Sequence, residues 1–245
     1  MTLYVRAQDK GRSRCLYSIY RSASRFVQTG KVILQIMKNV LLIGDSIRLG
    51  YQALVGELLG KNVRIYAPEE NCRFTKFALW GMFSWIEGFG CPKIDAGHFN
   101  TGIWDLHRCT ADGENFSSPE EYGRDIRRLA IQMKSYTEKV CFANIIPGGS
   151  GLDKEEEINP LINTDAGFVK VRLTAPMKEW NADVVRYNKA SEAVMKDMGI
   201  PVNDMYSALA ADTEKYIGAD GIHPTAEGFE LLAKMTAEKI EELLS

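Results

Sequence analysis

Asn39-Val40-Leu41-Leu42-Ile43-Gly44-Asp45-Ser46-Ile47-Arg48 is the stretch on which the fold turns. Val40 to Gly44 is a short apolar run closed by glycine, which suits a strand covered on both faces, as in a parallel sheet. Beyond Ser46 the period changes. Ile47, Leu49, Tyr51, Leu54, Val55, Leu58 and Leu59 recur at roughly helical spacing, and Gly60 supplies a stop. Gly44, Asp45 and Ser46 therefore occupy a strand-to-helix turn, the end of an open α/β sheet where ligands bind. The free amides and dipole of the following helix favour negative charge developing beside Ser46. A Ser or Asp in such a turn also serves as an ordinary helix cap, so three residues alone do not decide between the two roles.

The same strand-helix alternation continues outward. Asn62 to Ala67, Lys93 to Asn100, Lys139 to Ile146 and Ile200 to Asp204 are predicted as four further strands. Helices are predicted over Phe74 to Ile86, from the Ser118-Pro119-Glu120-Glu121 start signal to Met133, over Asn181 to Met198, and over Thr225 to Leu244. The aromatic stripe of Phe74 to Ile86 is expected to be core packing. Residues 148 to about 178 lack clear periodicity, and a loop of that length predicts a lid or binding loop. Alternation of this kind gives an α/β fold, a parallel sheet covered on both faces, in one domain spanning 37–245.

Residues 1–36 differ from the rest, with seven basic residues and one acid. They read as an N-terminal extension: either an Arg- and Ser-rich transit segment or an over-extended reading frame upstream of Met37. In neither case are they expected to carry chemistry. The whole chain of 245 residues is 45% hydrophobic and 25% charged, with net charge −2, which suits a globular core and gives no reason to expect nucleic-acid binding. No apolar run approaches the roughly 18 residues needed to cross a membrane. Five widely spaced cysteines without a Cys-x-x-Cys pair suggest neither a zinc site nor a disulfide framework, and fit a cytoplasmic protein.

A nucleophilic serine needs a base, and the chain has three histidines. His98 falls inside the third strand and reads as structural; His107 stands in the loop after Trp104 and stays open. His223 belongs to Asp220-Gly221-Ile222-His223-Pro224, directly before the last helix. Asp220 is near enough in sequence to bond one ring nitrogen, which would fix the tautomer and leave the other nitrogen as base. The bland alternative is a turn cap beside a surface histidine.

Gly44-Asp45-Ser46 after the first strand, taken with Asp220-x-x-His223 before the last helix, resembles the SGNH (GDSL-type) hydrolase family over about Lys38 to Ser245. The resemblance implies a three-layer α/β/α sandwich, flavodoxin-like, with a parallel five-stranded sheet in the order 2-1-3-4-5. It also implies a serine esterase that uses no metal and no organic cofactor. Ser46 is then the nucleophile, with His223 and Asp220 completing the triad. The family's oxyanion hole combines the serine amide, a glycine amide after the second strand and the asparagine of a Gly-x-Asn-Asp motif after the third. Here the sequence departs. Glu70-Asn71-Cys72-Arg73 contains no glycine, and the third strand ends in Asn100-Thr101-Gly102. Ser46 and Asn100 are the expected oxyanion residues, with Asn71 a second side-chain candidate and the Cys72 or Arg73 amide a possible replacement for the glycine amide. Asp45, Arg73 and Trp104 are expected near substrate, as are Arg48 and Asp105 on weaker grounds; Trp104 stands out because sugars stack on indoles.

The activity implied is hydrolysis of a carboxylic ester, with acetyl or other short acyl groups on a small molecule or carbohydrate, and with neither nucleic acid nor membrane as partner. A non-catalytic glycan-binding protein on the same fold, its oxyanion hole altered, is the alternative. A phosphate or nucleotide binder at the Gly44–Ser46 turn ranks last, since Asp45 would repel phosphate and no Gly-rich phosphate motif is present.

Overall fold

The computed structural model describes residues 37–110, 112–154, 158–164 and 167–245. The segment 1–36, expected to be an N-terminal extension, lies outside the described residues.

The decisive stretch forms β1 (Lys38–Ile43) and α1 (Ser46–Leu59). Val40, Leu41, Leu42 and Ile43 are wholly buried, as a central strand covered on both faces requires. Further parallel strands are β2 (Val63–Tyr66), β3 (Ala96–Phe99), β4 (Val140–Ala143) and β7 (Val202–Asn203). They join in the order β2-β1-β3-β4-β7, with Val40 opposite both Ile65 and Ala96. This is the order expected, and it places the strand order's reversal between β1 and β3, at the end that carries Gly44–Ser46.

Two groups of helices cover the sheet. α1 packs on α7 (Ala226–Leu244), while α2 (Thr75–Gly88), α3 (Pro119–Lys134) and α4 (Met177–Met198) pack in series. The start of α3 is the capping box read from the sequence: Ser118 Oγ accepts from Glu121 N, and the Glu121 carboxylate accepts from Ser118 N. α4 begins four residues before its expected start, because Pro176 ends the preceding extended chain and Trp180, donating its amide to the Pro176 carbonyl, is buried in the core.

Two features differ from expectation. The stretch 148–178 is not one long loop: it holds β5 (Ile158–Thr164) and β6 (Gly167–Arg172), paired antiparallel as a separate hairpin. Pro160 obscures it, since proline argues against a strand, and the register shifts between Pro160 and Ile162. Two short helices follow β7, α5 (Met205–Ala210) and α6 (Thr213–Tyr216). Each starts at an aspartate whose side chain accepts a backbone amide, Asp204 from Ser207 and Asp212 from Lys215. The aromatic stripe on α2 is also only partly core: Trp80 and Phe83 are mostly exposed.

Candidate active site

The turn after β1 is built from the inside out. Asp45 is buried and caps α1, accepting the Ile47 amide at 3.0 Å. Ser46 is the first residue of α1, so its amide belongs to the helix's unpaired N-terminal set. Gly44 is required because a Cβ there would come within 2.2 Å of Asn100 Oδ1 and 2.6 Å of Arg48 Cβ.

The other half arrives from the loop before α7. Asp220 Oδ1 accepts the backbone amides of Ile222 and His223, both at 2.9 Å, which makes a tight turn of Asp220-x-x-His223. Asp220 Oδ2 accepts from His223 Nδ1 at 2.6 Å, and His223 Nε2 accepts from the Ser46 hydroxyl at 2.9 Å. The structure thus brings Ser46, His223 and Asp220 into one hydrogen-bonded line. Partial burial works to raise the Asp220 carboxyl, but the His223 ring and the two turn amides outweigh it and hold the group below the ordinary aspartate value. An ionised Asp220 fixes the Nδ1–H tautomer and leaves Nε2 as acceptor for the serine proton.

Glycines let the supporting loops meet backbone to backbone. Gly149 N donates to Gly221 O at 2.9 Å, and a Cβ on Gly151 would lie 2.3 Å from Ala219 O and 2.4 Å from Gly221 N. The sequence reading missed this contact, although the Gly148-Gly149-Ser-Gly151 cluster is the usual mark of close backbone approach.

Ser46, His223 and Asp220 open on a cleft of about 550 Å³, walled by Trp104, His107, Leu152, Leu173 and Ile222 and edged by Asn71 and Lys154. The Trp104 and His107 rings stand 5.0 Å apart between centroids. Burial pushes His107 down to about 4, and His98, bonded to Asn203 in the core, down to about 3. Of the three histidines, His223 is the one hydrogen-bonded to Ser46.

Several expected substrate contacts lie elsewhere. Asp45 is not in the cleft: it is buried beneath the turn, and burial raises its carboxyl to about 6 against the opposing Ile47 and Asn100 hydrogen bonds. Arg73 is exposed outside the cleft lining, its guanidinium over the Phe77 ring. Arg48 is wholly buried and Asp105 nearly so; Asp105 accepts from the Thr75 amide and hydroxyl and from the Ser117 hydroxyl, tying the start of α2 to the loop after β3. Asn100 does not line the cleft either. It borders a separate cavity of about 10 Å³, its Nδ2 donates to Asp45 Oδ1 at 3.1 Å, and its Oδ1 accepts from Tyr51 at 3.1 Å. Trp104 and Asn71 are at the cleft as expected. The structure also makes visible a match that the sequence reading passed over: Gly102-Ile103-Trp104-Asp105 has the spacing of Gly-x-Asn-Asp, with tryptophan where that motif has asparagine.

No protein-family model and no curated protein matches the chain. Solved structures do. A lipase/acylhydrolase from Enterococcus faecalis superposes with a TM-score of 0.64 at 18% identity, covering 85% of this chain and 98% of that one. A GDSL-like lipase from Bacteroides thetaiotaomicron gives 0.60 at 18% identity, covering 84% and 88%. An acetyl xylan esterase gives 0.62 at 14% identity, covering 82% and 99%. The chain has the fold that these three proteins share.

Proposed function

We propose that the protein is a serine esterase of the SGNH (GDSL-type) kind, acting on acetyl or other short acyl esters, with a carbohydrate or small molecule as the alcohol. The observation that carries this reading is the line Ser46–His223–Asp220, closed at 2.9 and 2.6 Å at the mouth of a cleft. In this reading Ser46 Oγ attacks the ester carbonyl carbon and its proton passes to His223 Nε2. Asp220 stabilises the imidazolium that forms. Collapse of the tetrahedral adduct expels the alcohol, which takes the proton from His223, and a water repeats the sequence on the acyl-enzyme.

The substrate class is supported by the rings of Trp104 and His107 in the cleft wall, which suit stacking against a sugar face, and by the acetyl xylan esterase among the similar structures. Among the described residues no helix is long and apolar enough to cross a membrane. A cytoplasmic location belongs to the same proposal.

The test is hydrolysis of a chromogenic acetyl ester by wild type, Ser46→Ala and His223→Ala, with a fluorophosphonate probe and intact mass alongside. Turnover by wild type alone, with the adduct on Ser46, is the expected result. An inactive wild type that takes no adduct would sink the esterase reading and leave glycan binding without cleavage as the function to assay.

A further inference from the structure

We infer that the oxyanion of the reaction is held by the side-chain amide of Asn71, on the loop after β2, and that the buried Arg48 is the positioning residue that fixes this loop against the nucleophile turn. The inference rests on the esterase reading of Ser46 and concerns which groups complete its site.

An anion hole needs a donor beside the nucleophile that is free to bind the developing charge. Asn100 fails this requirement: its amide faces Asp45, beneath the turn and away from the cleft. Trp104 fills the place on the β3 loop from which an asparagine could otherwise have reached the cleft. Asn71 meets it. Its Oδ1 accepts the Arg73 amide at 2.7 Å, so the oxygen of the side chain is turned toward the backbone. The Nδ2 branch has no protein partner among the described residues, and Asn71 borders the same cleft as Ser46 and His223. Local backbone strain accompanies this arrangement: Arg73, a non-glycine residue, sits at φ 50°. Such conformations persist where surrounding contacts enforce them, and they cluster at functional sites.

The loop that carries Asn71 is held by Arg48. Its wholly buried guanidinium donates to Pro68 O at 2.7 Å, Glu70 O at 2.8 Å and Gly44 O at 3.2 Å, and also to the Gln52 side chain. Cys72 N donates to Gly44 O at 3.2 Å. The residues on both sides of Asn71 are thereby bonded to the strand end that carries Ser46. A buried charge is costly unless its donors are matched, and here two of the matching acceptors, Pro68 O and Glu70 O, are carbonyls of the loop that must be held. Lysine cannot reproduce this planar fork.

The experiment measures kcat and KM on the chromogenic acetyl ester for wild type, Asn71→Ala, Asn71→Asp, Asn100→Ala, Arg48→Lys and the Asn71→Ala/Arg48→Lys double variant. Thermal melting and the rate of fluorophosphonate labelling are followed for each. Asn71→Ala is expected to lose about 10²–10³-fold in kcat, the usual effect of removing one oxyanion donor, with KM nearly unchanged. Asn71→Asp keeps the acceptor for the Arg73 amide, so it covers the case in which the alanine variant folds poorly, and it should lose at least as much. Arg48→Lys is expected to lower kcat in the wild-type background and to add little once Asn71 is alanine, a non-additivity that general destabilisation would not produce. Full kcat in a folded Asn71→Ala, or a loss of 10²–10³-fold confined to Asn100→Ala, overturns the inference while leaving the esterase reading intact. A wild type with neither turnover nor a Ser46 adduct removes both.

Discussion

At the scale of single residues, the site is a contest between partners for a few polar atoms. Asp220 takes the ring N–H of His223 on one oxygen and two backbone amides on the other, so one carboxylate both shapes the turn and orients the imidazole. Replacing it by asparagine keeps the size but removes the charge that sets the tautomer. For the esterase proposed above, Asp220→Asn should lower kcat by up to about 10⁴-fold with little change in KM, read from initial rates on the acetyl ester. A loss below tenfold would mean that the turn alone orients His223. This pairing was legible in the sequence because Asp220 and His223 are three residues apart and their turn is local. The fate of Asn100 was not legible. Its position at the end of β3 suited an oxyanion donor, but the direction of its amide is decided by Asp45 and Tyr51, 55 and 49 residues away.

At the scale of elements, the site is the meeting of two loops that glycine allows to touch. The short turn Ser150–Asp153 lies against the Ala219–Gly221 backbone, and Gly151 is the point of closest approach. Gly151→Ala would place a Cβ 2.7 Å from the Asp220 carbonyl carbon, and the obstacle is backbone, which cannot swing aside as a side chain can. One of the two loops must give way, and a shift of the Asp220–His223 turn would move the imidazole off Ser46. The expected result is a fall in kcat of up to about 10²-fold, the effect of a displacement near 1 Å, with a stability loss of about 1–3 kcal/mol. Kinetics and urea unfolding of the variant measure both; unchanged kcat would show that the loops yield elsewhere. The elements with a continuous local signal were the ones the sequence disclosed: the apolar β1, the capped α3 and the final helix. The β5–β6 hairpin escaped because Pro160 interrupts its first strand, and α5 and α6 escaped because four to six residues are too few to show a period.

At the scale of the whole molecule, the position of the site has a consequence for stability. Folding buries two carboxyl groups near the sheet's active end, and burial, only partly offset by hydrogen bonds, raises both Asp45 and Asp105 to about 6 from an ordinary 3.8. The sign follows from proton counting. Between about pH 4 and pH 6 the folded protein keeps protons that the unfolded chain has released, so each group lowers stability as pH rises through that window and is level above it. A rise from 3.8 to about 6 corresponds to about 3 kcal/mol per group as an order of magnitude. Aspartates held below their ordinary value, such as Asp204 and Asp220, act in the opposite sense at lower pH, so the wild-type profile alone mixes the contributions. Asp45→Asn separates them. The amide oxygen still accepts from Ile47 and Asn100, and its NH₂ replaces Oδ2, a buried oxygen with no partner among the described residues, beside a cavity of about 10 Å³. That cavity has room for about one water, which would accept from the new amide. Urea unfolding at pH 4 and pH 7 should therefore show the variant gaining about 2 kcal/mol on wild type between the two conditions. Parallel profiles would mean that Asp45 is already ionised at pH 4 in the folded protein, its charge held by Arg48 and the start of α1 despite burial.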